Sequence, residues 1–269
     1  MTVQAYVINL ARSHDRRAYI TAELKKTDVD YEVVTAVDGR GVELSDESLI
    51  HRSFLNRTAS SAGSAGASLS HLNIYRKILE EGHDAALVLE DDVKLPADLG
   101  RLADAVAVQL TGAEVALLSV DSPDPCQLSP AGSTTLPGGR LLALPLDVTQ
   151  PRSAGSYVIT REACERIVKS LPPIRVQADA WWWFYREGML DRVRCVAPLP
   201  VLKNPNFVST IGFYSLGNGI KARLAGPLVR SKLPLLHQLL SYRRHRIYQQ
   251  WGRAEVTDGP FTERPSRLD

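Results

Sequence analysis

Residues 87–94 read LVLEDDVK. Leu87, Val88 and Leu89 form a short apolar run of the kind that fills a strand buried on both faces. Three adjacent carboxylates, Glu90, Asp91 and Asp92, then close it. Such neighbours repel one another, so the run is either compensated by a cation or screened by water in a solvated turn. Upstream, residues 59–67 (ASSAGSAGA) are small and flexible. SLSHLNIYRKILEEG follows, with Leu69, Leu72, Ile74, Tyr75, Ile78 and Leu79 near helical spacing, starting near Ala67 and stopping at Gly82. A loop, a helix and a strand whose carboxyl end carries acids is the order expected at the ligand edge of an open α/β sheet.

The same alternation extends outward. Residues 5–10 (AYVINL) predict a buried strand opening onto a loop, ARSHDRR, and then a helix with Tyr19, Ile20 and Leu24 on its apolar side. YEVVTAV predicts a second strand ending at Asp38-Gly39, so strand, helix and strand form a parallel pair with a right-handed crossover. Further on, residues 114–122 (EVALLSVDS) predict a strand ending in Asp121. SPDPCQLSPAGSTTLPGGR, rich in Pro, Gly and Ser, predicts a mobile loop. RSAGSYVITREACERIVKSL predicts a turn, a strand and a helix ended by Pro172-Pro173. The expected fold is α/β, one Rossmann-type domain with a mixed, mostly parallel central sheet.

Composition agrees with a globular domain: 269 residues, 44% hydrophobic and 23% charged. Cys126, Cys164 and Cys195 are odd in number and lack a CxxC pattern, which argues against a disulfide framework or a zinc site and for a reducing compartment. No apolar run reaches the ~18 residues of a membrane span, and the first ten residues lack a signal-peptide pattern, so a cytoplasmic location is expected. The net charge of +2 conceals an asymmetry. Residues 1–191 hold 19 Lys+Arg against 26 Asp+Glu, whereas 192–254 hold 11 Lys+Arg and no carboxylate. Residues 216–254 predict a basic amphipathic helical appendage facing an anionic partner, and 255–269 a poorly ordered tail. The anionic partner is expected to be a membrane surface, with an interaction helix for a partner protein as the rival reading; the chain has no nucleic-acid motif.

Hard divalent cations such as Mg²⁺ or Mn²⁺ are bound by one or two carboxylates, with water and substrate phosphate completing the shell. Acids fixed at a strand end meet that need. No Walker A sequence, GxGxxG or GxSxG accompanies them, which weakens ATPase, dehydrogenase and hydrolase readings.

The combination VINLARSHDRR, YEVVTAVDGR, GSAGASLSHLNIYRKIL, ALVLEDDV and GSYVITREAC, over roughly residues 3–215, resembles glycosyltransferase family 25, the lipooligosaccharide glycosyltransferases. The resemblance implies a GT-A-like fold and inverting transfer of a hexose, typically galactose from UDP-galactose, to a lipooligosaccharide or related envelope glycan, with Mn²⁺ or Mg²⁺. It implies Asp92 as a metal ligand, with Glu90 or Asp91 assisting through water or holding the donor ribose. Asn9, Leu10, Arg12 and Arg16 would cradle the nucleotide, and Asp38 would receive uracil or ribose. Ser70 and His71 match the family's Ser-His pair, and Gly155, Ser156 and Tyr157 would line the sugar pocket. Asp179 is the first choice as general base, ahead of Asp121 and Asp147. Where the family commonly reads Gly-Glu-Ile-Gly-Cys, this chain has Gly63-Ser64-Ala65-Gly66-Ala67. Of Trp181, Trp182 and Trp183, at least one is expected to be partly exposed as a sugar platform. An acceptor anchored in the inner leaflet would hold the enzyme peripherally at the inner face of the membrane. A nucleotidyltransferase on the same sheet and a non-catalytic envelope scaffold are the alternatives.

Overall fold

The computed structural model describes residues 2–57, 60–122, 124–207 and 253–257. The predicted strand-helix-strand opening is present. β1 (Gln4–Asn9) leads to α1 (His14–Leu24) and then to β2 (Tyr31–Thr35), which pairs with β1 in parallel. After the short α2 (Arg52–Leu55) comes α3 (Ala62–Glu80), which delivers β3 (Ala85–Glu90), parallel to β1. The two-residue β4 (Val93–Lys94) follows the acids, then α4 (Leu99–Gln109) and β5 (Glu114–Leu117). A hairpin of β6 (Cys126–Leu136) and β7 (Arg140–Pro145) precedes β8 (Ser156–Thr160), α5 (Arg161–Ser170) and α6 (Trp181–Arg186). β9 (Arg192–Ala197), β10 (Leu202–Lys203) and β11 (Ala254–Val256) complete the described elements.

Nine strands form one sheet in the order β11-β6-β7-β9-β5-β8-β3-β1-β2, and β10 pairs with β4 as a separate ribbon. Only β7 and β8 run against the other seven, so the sheet is mixed and mostly parallel as expected. The strand period of two splits the core between its faces. Along β3, Ala86 and Val88 join the cluster built with α3, α5 and α6, while Ala85, Leu87 and Leu89 join the one built with α1 and α4. Burial on both faces explains why the strand reads as an unbroken apolar run.

Three expectations are corrected. The Pro/Gly/Ser-rich stretch is not a loop: Cys126–Leu136 is the longest strand among the described residues. Its register shifts between Ser129 and Thr134, where Pro130 and the positive-φ Gly132 sit, and Pro137-Gly138-Gly139 makes the hairpin turn. A bulge and a turn thus absorb the residues that read as a loop. Second, α3 starts at Ala62, five residues before the expected start near Ala67. Ser61 Oγ accepts from the Ser64 amide at 3.0 Å while Ser64 Oγ accepts from the Ser61 amide at 2.8 Å, a reciprocal cap with serine in the place of the usual glutamate. Third, Ala254–Val256, assigned to the basic helix and the poorly ordered tail, pair in parallel with β6 from Ala254 opposite Cys126 to Val256 opposite Leu128. The rest of the predicted basic helix, 216–252, lies outside the described residues.

Glycine at position 66 has a steric reason. A Cβ there would come within 2.7 Å of the Gly39 nitrogen and 2.8 Å of the Val37 carbonyl oxygen, because the loop after β2 lies directly on α3. Gly66→Ala is therefore expected to cost about 1–3 kcal/mol, as overpacking typically does. Gly41→Ala, with nothing within 4 Å of the new methyl, should stay within about 0.5 kcal/mol of wild type. Urea denaturation of the two variants checks the contrast.

Candidate active site

Topology brings most of the predicted residues to one edge. β1, β2, β3 and β5 end there, with Asn9, the turn to Asp38, the acidic run and the segment to Asp121; the reversed β8 starts there, with Gly155 and Ser156 before it turns inward. Strand alternation then hands the acids out. Glu90 falls on the α3 side with Val88, and Asp91 on the α1 side with Leu89.

On the α1 side, Asp91 accepts from Asn9 Nδ2 at 2.7 Å and from Arg16 Nη1 at 2.6 Å. The second Arg16 nitrogen lies 3.2 Å from Asp92 Oδ2, so one guanidinium spans two carboxylates. Arg16, Asp91 and Asp92 are all buried. Arg16 also lies over the Phe207 ring, 5.2 Å from its centroid. Burial pushes the Asp91 and Asp92 carboxyls up; Arg16 partly offsets it for Asp91, and Lys203 and then Arg16 do so for Asp92. The cation demanded by the acidic run is, in the first place, Arg16.

On the α3 side, His71 Nε2 lies 3.7 Å from Glu90 Oε1. His71 Nδ1 shares a hydrogen bond with the Tyr157 hydroxyl at 2.7 Å, and Tyr157 shares one with the Tyr75 hydroxyl at 2.9 Å. Trp181 packs edge-on against Tyr157 at 4.9 Å and donates its Nε1–H to the Ser153 carbonyl at 2.8 Å. Burial acts to raise the Glu90 carboxyl, but the adjoining His71 and the charge of Lys203 outweigh it and hold Glu90 below its ordinary value. Ser153 adopts φ +146°, and its hydroxyl accepts from the Gly155 amide at 3.0 Å, fixing the turn into β8.

The charge of Glu90 acts on both leading candidates for a base. Burial raises the Asp179 carboxyl and the Glu90 charge adds to it, against Arg152 and His71. Asp121 is likewise raised by burial, opposed first by Lys203, whose Nζ is 3.7 Å from Asp121 Oδ2. Lys203 sits on β10, opposite Val93 of β4, and the Asn204 amide donates to the Asp92 carbonyl at 2.7 Å.

Other expected residues take different places. Asp147 accepts from the Thr149 amide and hydroxyl at 2.8 and 2.7 Å, a local turn role. Ser70 is spent structurally: it accepts from the Val37 amide at 2.8 Å and donates to the Gly66 carbonyl at 2.7 Å. Tyr157 is fully buried, so it anchors His71 and lines no sugar-facing surface. The Leu10 carbonyl accepts from the Ser13 amide, turning the chain into α1. Arg12 pairs with Asp38 at 2.5 Å on the exposed rim, and hydrogen bonds from Arg40, then the charge of Arg12, hold Asp38 at about 2. Trp181 and Trp183 are buried, while Trp182 is partly exposed under Arg186, 5.1 Å from the ring. Sequence reading missed Lys203, Arg152 and Phe207. Nothing in KNPNF marks a site until β10 is paired to the strand that follows the acids.

The donor set fits a hard cation only in a limited way. Both Asp91 oxygens are taken, and no group of three or more His, Cys, Asp or Glu side chains among the described residues could hold a metal ion by itself. Asp92 Oδ1, however, is buried with no hydrogen-bond partner, as are Asn9 Oδ1 and Ser156 Oγ. An oxygen of that kind suits an ion held by one or two carboxylates, with water and phosphate supplying the rest.

Removing Arg16 would leave two buried carboxylates uncompensated. Arg16→Met is expected to cost about 3–5 kcal/mol, the range for breaking a buried ion pair from one side. Urea denaturation at neutral pH measures it.

Comparison with known proteins finds a similarity over the first part of the chain. Residues 2–120 match the family model "Glycosyltransferase family 25 (LPS biosynthesis protein)". Procollagen galactosyltransferase 1 of Danio rerio is 30% identical over 98 residues, 34% of this chain and 16% of the relative. Inactive glycosyltransferase 25 family member 3 of Homo sapiens is 34% identical over 110 residues, 37% of this chain and 18% of the relative. The match thus spans less than a fifth of either relative's length. A solved glycosyltransferase involved in the glycosylation of the major capsid of PBCV-1 aligns over 77% of this chain and 84% of its own, at 11% identity and TM-score 0.34. Residues 2–120 hold Asn9, Arg16, His71 and the Glu90-Asp91-Asp92 run, and over that stretch the chain is similar to glycosyltransferase family 25.

Proposed function

We propose that the chain is an inverting, metal-dependent hexosyltransferase that moves galactose from UDP-galactose to a lipooligosaccharide or related glycan acceptor. The supporting observation is the gathering of Glu90, Asp92 and Asp121 at the edge that also carries Arg16, His71 and Lys203, with Asp92 Oδ1 lacking a partner. The family match and the galactosyltransferase names of relatives support the choice of sugar.

In this reading Asp179 takes the proton of the acceptor hydroxyl as its oxygen attacks the anomeric carbon, and the bond from that carbon to the diphosphate breaks to release UDP. A carboxyl raised by burial is a stronger base than an exposed one and suits that task. Mg²⁺ or Mn²⁺ held by Asp92 and Glu90 would neutralise charge gathering on the departing diphosphate. His71, backed by Tyr157 and Tyr75, keeps Glu90 in place, and Arg16 does the same for Asp91 and Asp92. Asp38, Arg12 and Asn9 are the candidates for holding the nucleoside at the open ends of β1 and β2. Trp182 is the aromatic face left for a sugar.

The acceptor side rests on the basic segment. Residues 216–252 would dock on an anionic membrane surface at the inner face of the cytoplasmic membrane. Among the described residues no helix is long and apolar enough to cross a membrane. The competing reading is a non-catalytic scaffold. It is favoured by relatives named inactive and by the hold of Arg16 on two of the three acids.

A screen of UDP-sugars with Mn²⁺, read by released UDP, separates the two. UDP-galactose should be hydrolysed slowly, and Asp92→Asn should lower the rate at least ~10²-fold. A protein that turns over no UDP-sugar but still binds its glycan would be the scaffold. Asp179→Asn should lower kcat by about 10²–10⁴-fold. It should also move stability with a defined sign. Because the folded Asp179 carboxyl is raised above its unfolded value, the native state is penalised as pH climbs through the interval between the two values. The neutral Asn variant should therefore be as stable as wild type, or more so, at pH 8. That advantage should shrink as pH falls and vanish below about pH 3, where Asp179 is protonated in both states. Urea denaturation at the two pH values tests this.

A further inference from the structure

We propose that Arg57, Arg175 and Arg186 form an anion-binding subsite for the acceptor, taking a phosphate or carboxylate group carried on the glycan. The inference deepens the proposed function and rests on it.

Three observations carry it. The first is placement. The His51 amide donates to the Ile174 carbonyl at 2.9 Å and the Ile174 amide to the Leu49 carbonyl at 2.8 Å, so the segment around α2 is laced to the strap between α5 and α6. Arg57 adds to that lacing by donating its Nε–H to the Arg175 carbonyl at 3.1 Å. Arg186, on α6, lies 5.1 Å from the centroid of the Trp182 ring, and its charge acts on Arg57. Three arginines distant in sequence thus meet in one place.

The second observation is charge without compensation. Among the described residues neither Arg57 nor Arg175 pairs with a carboxylate, and Arg186 has only its neighbour Glu187, at 2.9 Å. Burial, and then the charge of Arg186, press the Arg57 guanidinium below its ordinary value. Arg175 Nε is buried without a hydrogen-bond partner. Crowded guanidiniums repel one another and a buried donor without a partner is costly, so both features call for an anion.

The third is the course of the strap. Ile174, Val176 and Ala178 are buried, whereas Arg175, Gln177 and Asp179 between them are only partly so. That period of two puts Arg175 on the same side as Asp179, the proposed base. Four residues of chain span at most about 14 Å, so a glycan whose hydroxyl meets Asp179 has these cations within reach of a substituent a short way along it. Trp182, partly exposed under Arg186, offers an aromatic surface to the ring that carries the anion. A planar guanidinium meets phosphate or carboxylate through two parallel hydrogen bonds, which would fix the acceptor's register as well as its affinity.

Calorimetric titration of the full chain, without nucleotide, tests this on wild type, Arg175→Met and Arg186→Met. The probes are glucose 6-phosphate, glucuronate, glucose and inorganic phosphate. One of the two anionic sugars should bind wild type at least about tenfold more tightly than glucose, and that one identifies the anion. Each substitution should weaken its binding roughly tenfold, as loss of a charge-assisted hydrogen bond predicts. Arg186 is exposed, so its variant should keep the wild-type urea midpoint and the lost affinity will not stem from misfolding. No preference for an anionic sugar over glucose, or a preference that survives both substitutions, overturns the assignment. Inorganic phosphate bound as tightly as the preferred sugar would mean a bare ion site with no part in holding an acceptor, and overturns it too. Release of UDP from UDP-galactose with Mn²⁺ is read separately. A chain that prefers the anionic sugar but releases no UDP keeps the subsite as glycan-binding and loses the transferase role, whereas one that releases UDP without the preference loses only the subsite.

Discussion

The structure turns on one guanidinium. Arg16, on the first helix, reaches across the end of the first strand to Asp91 and Asp92 at the end of the third. Without it, two carboxylates would sit below the surface of a sheet edge with too few partners, and the repulsion would be felt along the whole strand. With it, the opening motif of the chain and the acidic run become a single unit. Asn9 strengthens the joint by donating to the same Asp91. The two sequence signals, 75 residues apart, are therefore one physical feature.

The same acids show how a strand's two-residue period can divide labour. Asp91 is consumed by structure on the α1 side, and Glu90 is oriented by a buried histidine and two tyrosines on the α3 side. Asp92 is held on one oxygen only. Such an arrangement keeps a negative cluster rigid while leaving part of it chemically open, which is the requirement for a site that must not reorganise when its ligand arrives.

The strands around Leu87-Val88-Leu89 and Tyr6-Val7-Ile8 were legible because burial on both faces leaves an apolar run that few other structures produce. The place of Asp121 beyond the end of a strand was legible from its apolar run, whereas Asp179 was named through the family resemblance alone. The β6–β7 hairpin was not legible, since Pro130, Gly132 and the Pro-Gly-Gly turn announce a loop locally while the flanking Cys126, Leu128 and Leu136 are buried in the sheet. The true start of α3 was hidden because serine replaces the acid that normally marks a reciprocal cap. Ser70 and Tyr157 were read as ligand groups because a motif gives residue type but not the direction of the side chain, and both point inward. Lys203 was invisible for the opposite reason: its place beside the acids comes from pairing across more than a hundred residues.

The return of the chain at Ala254–Val256 has a consequence for how the basic region can be handled. That strand covers the outer rim of β6, whose other side is taken by β7. A protein truncated after Phe207 would lose not only positive charge but also the guard on an eleven-residue strand. The bared amides and carbonyls of that strand would offer a template for intermolecular β-pairing. Self-association of such a truncated form would then report an uncapped sheet, and its failure to bind a membrane could not be assigned to the missing lysines and arginines alone.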